Sequence, residues 1–228
     1  MMFRKALLIA VAVMLLAVSA VAENTVDLIM NTRTTQAFSD EAVSVDDLKV
    51  IMQAGLSTAS AINQQPWFFV AVTNQEVMKE IASSGMGFAP PAGTPGKPEG
   101  APQDGNGASP AAPPASNGPK AGLGDSPAAI LIYRSDASKS PNADFDCGLA
   151  AQNMVIAASA LGYSVKIISS PTMALNGENH DALCEKLGVD TSMQAVAVLL
   201  LGHADSSVDV TSQATTRESF ETKTNIIE

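Results

Sequence analysis

Apolar residues recur along this chain with helical spacing in some stretches and as short continuous runs in others. Leu48, Ile51 and Leu56 follow one another at helical spacing. Ser44 lies just before this stretch, and Asp47 stands three residues later in place of the usual Glu or Gln. This is a variant of the capping box, and it predicts that the helix begins just after Ser44. A further helix is predicted through Ile81, with Asn74 as its cap, and others over residues 145–161 and 180–187. The long one, 145–161, is apolar on nearly every face, which indicates a central buried helix.

Short runs of apolar, β-branched and aromatic residues predict four buried strands. They lie at residues 67–73, 128–133, 165–168 and 194–201. Gly162 and Gly188 stand where the preceding helices are expected to end, since glycine accepts the left-handed conformation of a helix C-terminus. Four strands with helices between them indicate an α/β or α+β sandwich, formed as one domain over 23–228.

Two parts of the chain are expected to lie outside that fold. Residues 85–124 are dominated by Pro, Gly, Ala, Ser and Asn and have no apolar period, which predicts a disordered insertion. Residues 1–22 have the pattern of a secretory signal peptide, with Arg4 and Lys5 before an apolar run and small residues at the end. We therefore expect export and cleavage, which would place the protein in the periplasm or outside the cell. An uncleaved N-terminal anchor is the alternative.

Charge and the rare side chains exclude several classes of function. The 23 acidic residues outnumber the 13 basic ones, for a net charge of −10, which argues against binding nucleic acid or an anionic membrane surface. Cys147 and Cys184 lie in apolar helical patterns, so two buried thiols are favoured over a disulfide. His180 and His203 lack the spacing of metal ligands, and no metal site is predicted.

The common catalytic motifs are absent from the sequence, so an enzyme of this kind would need a cofactor to supply its reactivity. The most distinctive stretch is 57–69, which holds the only tryptophan and three neighbouring side-chain amides. Ser60, Asn63 and Gln65 offer neutral hydrogen-bond donors and acceptors, which suit the edge of a planar heterocycle or a sugar-like chain. Trp67 is expected to anchor this loop in the core.

Five stretches, taken together and in this order, resemble the FMN-dependent nitroreductase family. They are NTRTTQAFSDEAV (31–43), TASAINQQPWFF (58–69), GDSPAAILIY (124–133), DFDCGLAAQNMVIAASALGYSVKII (144–168) and AVAVLLLGHAD (195–205). The resemblance implies a mixed, largely antiparallel sheet flanked by helices and a homodimer with FMN in clefts at the interface. It implies electron transfer through flavin N5 to nitroaromatics, quinones or similar small acceptors, with NAD(P)H as the usual donor and no catalytic side chain.

The resemblance also assigns residues to the N-terminal part of the flavin site. Arg33 matches a phosphate ligand, Thr34 matches the motif serine, and Gln36 stands at the later basic position. The motif's first arginine falls on Thr32. Two positive charges of the family site are thus missing, from which we expect weaker FMN binding or a lower flavin potential.

The remaining matches come from three later segments. Ser60 and Asn63 correspond to residues that reach across the dimer to the flavin of the other subunit. Ser169 and Ser170 fall where the family's backbone contacts the flavin near N5. Arg217 corresponds to a C-terminal phosphate ligand, with an ordinary solvated charge as the alternative.

Two features leave other functions open. An exported protein meets little NAD(P)H, so a protein or a membrane quinol is a second candidate donor. The stretch DVTSQAT (209–215) is similar to a signal for covalent FMN attachment through a threonine, here Thr215, although a plain polar tail is favoured. The alternatives to an enzyme are an exported flavin-binding redox partner and a flavin-free interaction module.

Overall fold

A computed structural model describes residues 25–32, 34–35, 37–84, 122–137, 141–207 and 218–227. The predicted signal peptide lies outside the described residues, as does the predicted insertion up to residue 121, and both stay predictions. The last residues assigned to the insertion do belong to the fold. A 3-10 turn covers Leu123–Asp125, and Leu123 is buried.

The fold is built on a four-stranded antiparallel sheet with the strand order β1-β2-β4-β3. The strands are β1 (Trp67–Val72), β2 (Ala128–Ser135), β3 (Ser164–Ile168) and β4 (Met193–Gly202). One register shift interrupts the β2–β4 ladder, because Ile132 pairs with Ala197 and Tyr133 pairs with Ala195. Val196 is therefore the extra residue of a β-bulge. The predicted α+β architecture, with a largely antiparallel sheet, is confirmed.

Helices cover both faces of the sheet. They are α1 (25–31), α2 (Val45–Leu56), α3 (Gln75–Ser84), α4 (Ala143–Ala160), α5 (Thr172–Leu175), α6 (His180–Leu187) and α7 (Phe220–Lys223). Strand β2 alternates between two cores because successive side chains point to opposite faces. Ile130 and Ile132 pack with α2 and α4 on one face, while Leu131 and Tyr133 pack with α3, α5 and α6 on the other.

The predicted ends of the helices are confirmed in detail. Ser44 Oγ accepts hydrogen bonds from the backbone N–H groups of Asp46 and Asp47, which caps α2. The side chain of Asn74 caps α3 in the same way. Gly162 and Gly188 both adopt positive φ, 87° and 68°, just after α4 and α6. Both cysteines are buried and free, as favoured from the sequence.

Candidate functional site

The loop before β1 has a strained backbone. Ile62, Asn63 and Gln65 all have positive φ, at 46°, 57° and 46°. For a β-branched residue such as Ile62 this conformation is a genuine outlier, and its side chain is also 87% exposed. Strain of this kind persists only where the surrounding structure imposes it, and it concentrates at functional sites. We call residues 58–65 the amide loop.

Hydrogen bonds inside the amide loop fix its polar side chains. Ser60 Oγ accepts from the backbone N–H of Gln65 at 2.9 Å. Gln65 Nε2 donates to Asn63 Oδ1 at 3.2 Å. Asn63 itself is exposed, and Ser60 is half-buried. Ser60 and Asn63, the two residues of this loop that are predicted to contact the cofactor, are therefore held in place by the loop and remain accessible to a ligand.

The central helix holds the amide loop at two points. The carboxylate of Asp146, which is only 3% exposed, accepts from the backbone N–H of Ala61 at 3.2 and 3.3 Å. Two turns along α4, Asn153 Nδ2 donates to Thr58 Oγ1 at 2.8 Å. The sequence motif contained both residues, but reasoning from the sequence assigned neither a role. The available signal was a pair of polar residues seven positions apart in a largely apolar helix.

The C-terminal side of the amide loop is anchored in the sheet. Trp67 is buried and stacks on Phe69, with ring centroids 6.2 Å apart and planes 12° apart. The carbonyl of Pro66 accepts from the backbone N–H of Ser135 at the end of β2, at 2.7 Å. Trp67 is thus a packing residue, as expected from the sequence.

Thr34 and Thr35 of the N-terminal motif lie along the outer edge of β3. Thr34 forms a parallel bridge with Val165, and the backbone N–H of Thr35 donates to the Val165 carbonyl at 3.3 Å. Phe38 then forms an antiparallel bridge with Ala204, just beyond β4. Thr34 is exposed on this edge.

Ser169 and Ser170 follow β3 directly and are both exposed. The carbonyl of Ser169 accepts from the backbone N–H and the hydroxyl of Thr172, at 3.0 and 2.7 Å. These bonds lie at the start of α5, whose N-cap is Pro171. Thr34, Ser169 and Ser170 therefore share one edge of the sheet.

A cleft of about 440 Å³ opens beside this edge, between α1, α4 and β3. Its lining residues are Ile29, Met30, Thr32, Thr34, Gln152, Val155, Val165 and Ile167. Five of these eight residues are apolar, and Thr32, Thr34 and Gln152 add hydroxyl and amide groups. A wall of this composition suits a planar ring with a polar edge.

The predicted contact residues fall into two groups on opposite edges of the sheet. The amide loop leads into β1, whereas Ser169 and Ser170 leave β3, and β2 and β4 lie between them. Three interstrand spacings make this separation about 14 Å. Ser60 and Asn63 therefore do not lie with Thr34, Ser169 and Ser170 within one subunit. Arg33, Gln36, Thr215 and Arg217 lie outside the described residues, and their assignments stay predictions.

A second cleft of about 440 Å³ lies where β4 begins and is lined by Arg134, Asp144 and Cys147 among others. Arg134 Nε donates to Asp144 at 2.8 Å and its guanidinium also pairs with Asp136, so its charge is already compensated. Burial, followed by the nearby Asp144 and Asp146, raises the pKa of Cys147 to about 12, which keeps this thiol protonated.

Within the described residues no group of His, Cys, Asp or Glu is arranged to hold a metal ion. Nor does that part of the chain contain a helix long and apolar enough to cross a membrane.

Comparison with known proteins identifies related sequences and folds. The model of the nitroreductase family matches residues 29–203. A protein of Archaeoglobus fulgidus named "Putative NADH dehydrogenase/NAD(P)H nitroreductase" is 31% identical over 62 residues. That match covers 27% of this chain and 36% of the relative, so it spans only about a third of the relative's length.

Solved structures show the same fold at low sequence identity. A nitroreductase with bound FMN from Bacteroides fragilis matches with a TM-score of 0.68 and 19% identity, over 90% of this chain and 98% of the other. A nitroreductase with bound FMN from Desulfitobacterium hafniense matches with a TM-score of 0.61 and 20% identity, over 86% and 97%. At this identity the likeness establishes the fold.

Proposed function

This chain belongs to the nitroreductase family, and we propose that it is an FMN-dependent oxidoreductase that passes electrons to a small acceptor. FMN is bound in the two structurally similar nitroreductases. The observation that carries the proposal is the amide loop, whose strained backbone is held by the buried Asp146. A loop that presents neutral donors and acceptors from a strained backbone is built to contact a ligand.

We infer that the functional unit is a homodimer. Ser60 and Asn63 are separated by the width of the sheet from Ser169 and Ser170, so a flavin ring seated against the β3 edge would be reached by Ser60 and Asn63 from a second subunit. Phe145, which is 66% exposed, and Leu149 form an apolar stripe on α4 that a second copy would cover. Each site would then take its amide loop from one subunit and its β3 edge from the other.

The residues fit the parts of FMN by their chemistry. Thr34 and the backbone of Ser169 and Ser170 would line the ring from one subunit, and Ser60 and Asn63 would donate to its polar edge from the other. Arg33 and Arg217 would bind the phosphate as charge-assisted donors. When bound, FMN supplies hydride and electron transfer through N5, to acceptors such as nitroaromatics and quinones.

Export would determine the electron donor. If residues 1–22 direct the chain out of the cytoplasm, NAD(P)H is scarce there, and a protein or a membrane quinol would reduce the flavin instead. Covalent attachment at Thr215 would retain the cofactor in such a compartment. An intact mass of the denatured protein, made in a host carrying the attaching transferase, would increase by the mass of FMN if attachment occurs.

A second candidate is a flavin-binding redox partner, or a flavin-free interaction module, without turnover of small molecules. The observation that favours it is the loss of basic residues at Thr32 and Gln36, which weakens the phosphate and flavin N1–C2=O contacts of the family site.

The visible spectrum of the purified protein tests these proposals, recorded after FMN is added and the excess is removed by desalting. Retained absorbance bands at roughly 370 and 450 nm, typical of oxidised flavin, would support the flavoprotein. A colourless protein would instead support the flavin-free module. With flavin retained, steady-state reduction of menadione or a nitrofuran distinguishes the oxidoreductase from a redox partner, which would show no turnover.

A further inference from the structure

His180 links two separate parts of the backbone through its two ring nitrogens. Its Nδ1 lies 2.7 Å from the carbonyl oxygen of Leu175, the last residue of α5. Its Nε2 lies 2.9 Å from the carbonyl oxygen of Thr191, in the turn that leads from α6 to β4. Both partners are acceptors only, so both bonds require the imidazole to donate.

A neutral imidazole cannot satisfy this geometry. It carries one N–H, and its other nitrogen presents a lone pair that would face a carbonyl lone pair. Only the imidazolium has a proton on each nitrogen. The two bonds accordingly raise the pKa of His180, with the Leu175 carbonyl as the larger cause and the Thr191 carbonyl as the second.

Charged neighbours support the protonated form. Asp181, the next residue on α6, raises the pKa of His180 further. Asp190 lies beside the Thr191 carbonyl in sequence, and hydrogen bonds from Ser192 lower its pKa, so it stays ionised. Of these two carboxylates, it is Asp181 that favours a positive charge on the His180 ring.

The two elements next to the carbonyl partners of His180, α5 and β4, bring no cation to it. Neither α5 nor β4 contains a charged residue, and the Lys186 ammonium on α6 is paired with Glu80 of α3. Cys184 Sγ lies 3.7 Å from both ring nitrogens, but burial raises the pKa of this thiol and keeps it neutral. Tyr133, buried on β2, is likewise held neutral because burial raises the pKa of its phenol.

We propose that His180 is a protonation-dependent clamp that fastens the end of α5 to the turn before β4 and releases one of these two contacts when it loses its proton. Because the folded state binds the proton more tightly than the unfolded state, the clamp stabilises the fold fully below the ordinary histidine pKa of about 6.5. The contribution is lost as the pH rises through the higher pKa of the folded state. The protein is thus expected to loosen on the alkaline side, locally and first in residues 175–191.

The clamp also borders the proposed flavin site. Ser169 and Ser170 lie just before Pro171, the N-cap of α5. Asn176, the residue after Leu175, uses its side-chain amide to bond both the N–H and the carbonyl of Ala195, each at 2.8 Å. Releasing Leu175 would free the backbone between these two points. This effect on flavin retention rests on the proposed function, whereas the clamp itself does not.

Nitrogen-15 NMR of the histidine rings tests the clamp directly, with spectra recorded as the protein is titrated from about pH 5 to about pH 9. The chain has two histidines, so the spectrum of His203→Gln contains the signals of His180 alone. We expect a midpoint above about 6.5, with both ring nitrogens protonated below it. A midpoint at or below the ordinary value would overturn the proposal, and this result does not depend on FMN.

A second readout is the free energy of unfolding against pH. The wild type and the His203→Gln control are expected to lose stability above about pH 6.5, with the unfolding constant rising up to tenfold for each unit by which the folded pKa exceeds the unfolded one. His180→Gln should lack this extra slope, because glutamine does not titrate. Equal slopes in all three proteins would contradict the clamp. If His180→Gln still loses flavin as the pH rises, the loss of flavin does not come from the clamp. The proposed effect on flavin retention would then be wrong, while the clamp itself would be judged by the two readouts above.

Discussion

The buried carboxylate of Asp146 accepts a hydrogen bond from the backbone N–H of Ala61, a residue 85 positions earlier in the chain. This contact joins the first turn of the central helix to the amide loop. Because Ile62, the next residue, has a strained conformation, the carboxylate helps to impose a backbone that the loop would not adopt alone.

Replacing the carboxylate tests this relationship. Asp146→Ala leaves the Ala61 N–H without its acceptor, and we expect a loss of about 1–3 kcal/mol in the free energy of unfolding. FMN affinity should fall as well, because the loop would relax. Chemical denaturation and a flavin titration measure the two effects.

Asp144→Ala is the matched control for that experiment. Asp144 lies in the same turn of α4, but its carboxylate is exposed and pairs with Arg134 at the surface. Exposed ion pairs contribute little, so this variant should lose much less stability than Asp146→Ala. Similar losses in both variants would show that Asp146 has no special role.

Relieving the strain at Ile62 should stabilise the protein. Ile62→Asn tolerates the left-handed conformation and removes an exposed β-branched side chain, for an expected gain of about 1 kcal/mol. Ile62→Val is the control, since valine keeps the β-branched strain. The midpoints of chemical denaturation compare them, and a gain shared equally by Val and Asn would argue against strain as the cause.

The two tyrosines should respond in opposite ways to loss of their hydroxyl groups. Tyr163 OH donates to Asp47 at 2.6 Å, and this bond is the main reason that its pKa is raised. Tyr133 OH is fully buried and, within the described structure, has no hydrogen-bond partner. Tyr163→Phe should cost about 1.5 kcal/mol, while Tyr133→Phe should be neutral or stabilising. Equilibrium unfolding of both variants decides the point; a marked loss from Tyr133→Phe would mean that its hydroxyl is satisfied in solution.

Mixed dimers test whether two subunits share each flavin site. Asn63→Ala and Arg33→Ala should each lose most of their activity as homodimers, because every site then lacks one contact. In a mixed dimer one site carries both changes and the other carries neither. Random reassociation of equal amounts should therefore restore about a quarter of the wild-type activity. Each variant refolded alone is the control, and no recovery on mixing would place both residues in a site within one subunit.

The fold was largely predictable because its signals are local. The side chains of Ser44 and Asn74 cap helix starts, as expected. Gly162 and Gly188, which lack a side chain, adopt the positive φ expected just after a helix end. Strands β1 to β4 were predicted to within a few residues by their apolar runs. Helix α5 was missed because four residues are too short to display a helical period.

The site was less predictable because its geometry depends on contacts between distant residues. Nothing in the sequence marks Ile62 as left-handed, since no glycine occurs there and the conformation is imposed from α4. The role of Asp146 becomes visible only when Ala61 is placed beside it. The strand order, which separates Asn63 from Ser169, also follows from pairing across the sheet and not from order along the chain.

The separation of Asn63 and Ser169 across the sheet has a thermodynamic consequence. If each flavin requires groups from two polypeptides, cofactor occupancy and subunit association are coupled equilibria, and each must strengthen the other by the same factor. Dilution would then release flavin, and added flavin would hold the subunits together. The concentration of the protein would therefore determine how much of it is active, because a scarce protein would be both monomeric and empty.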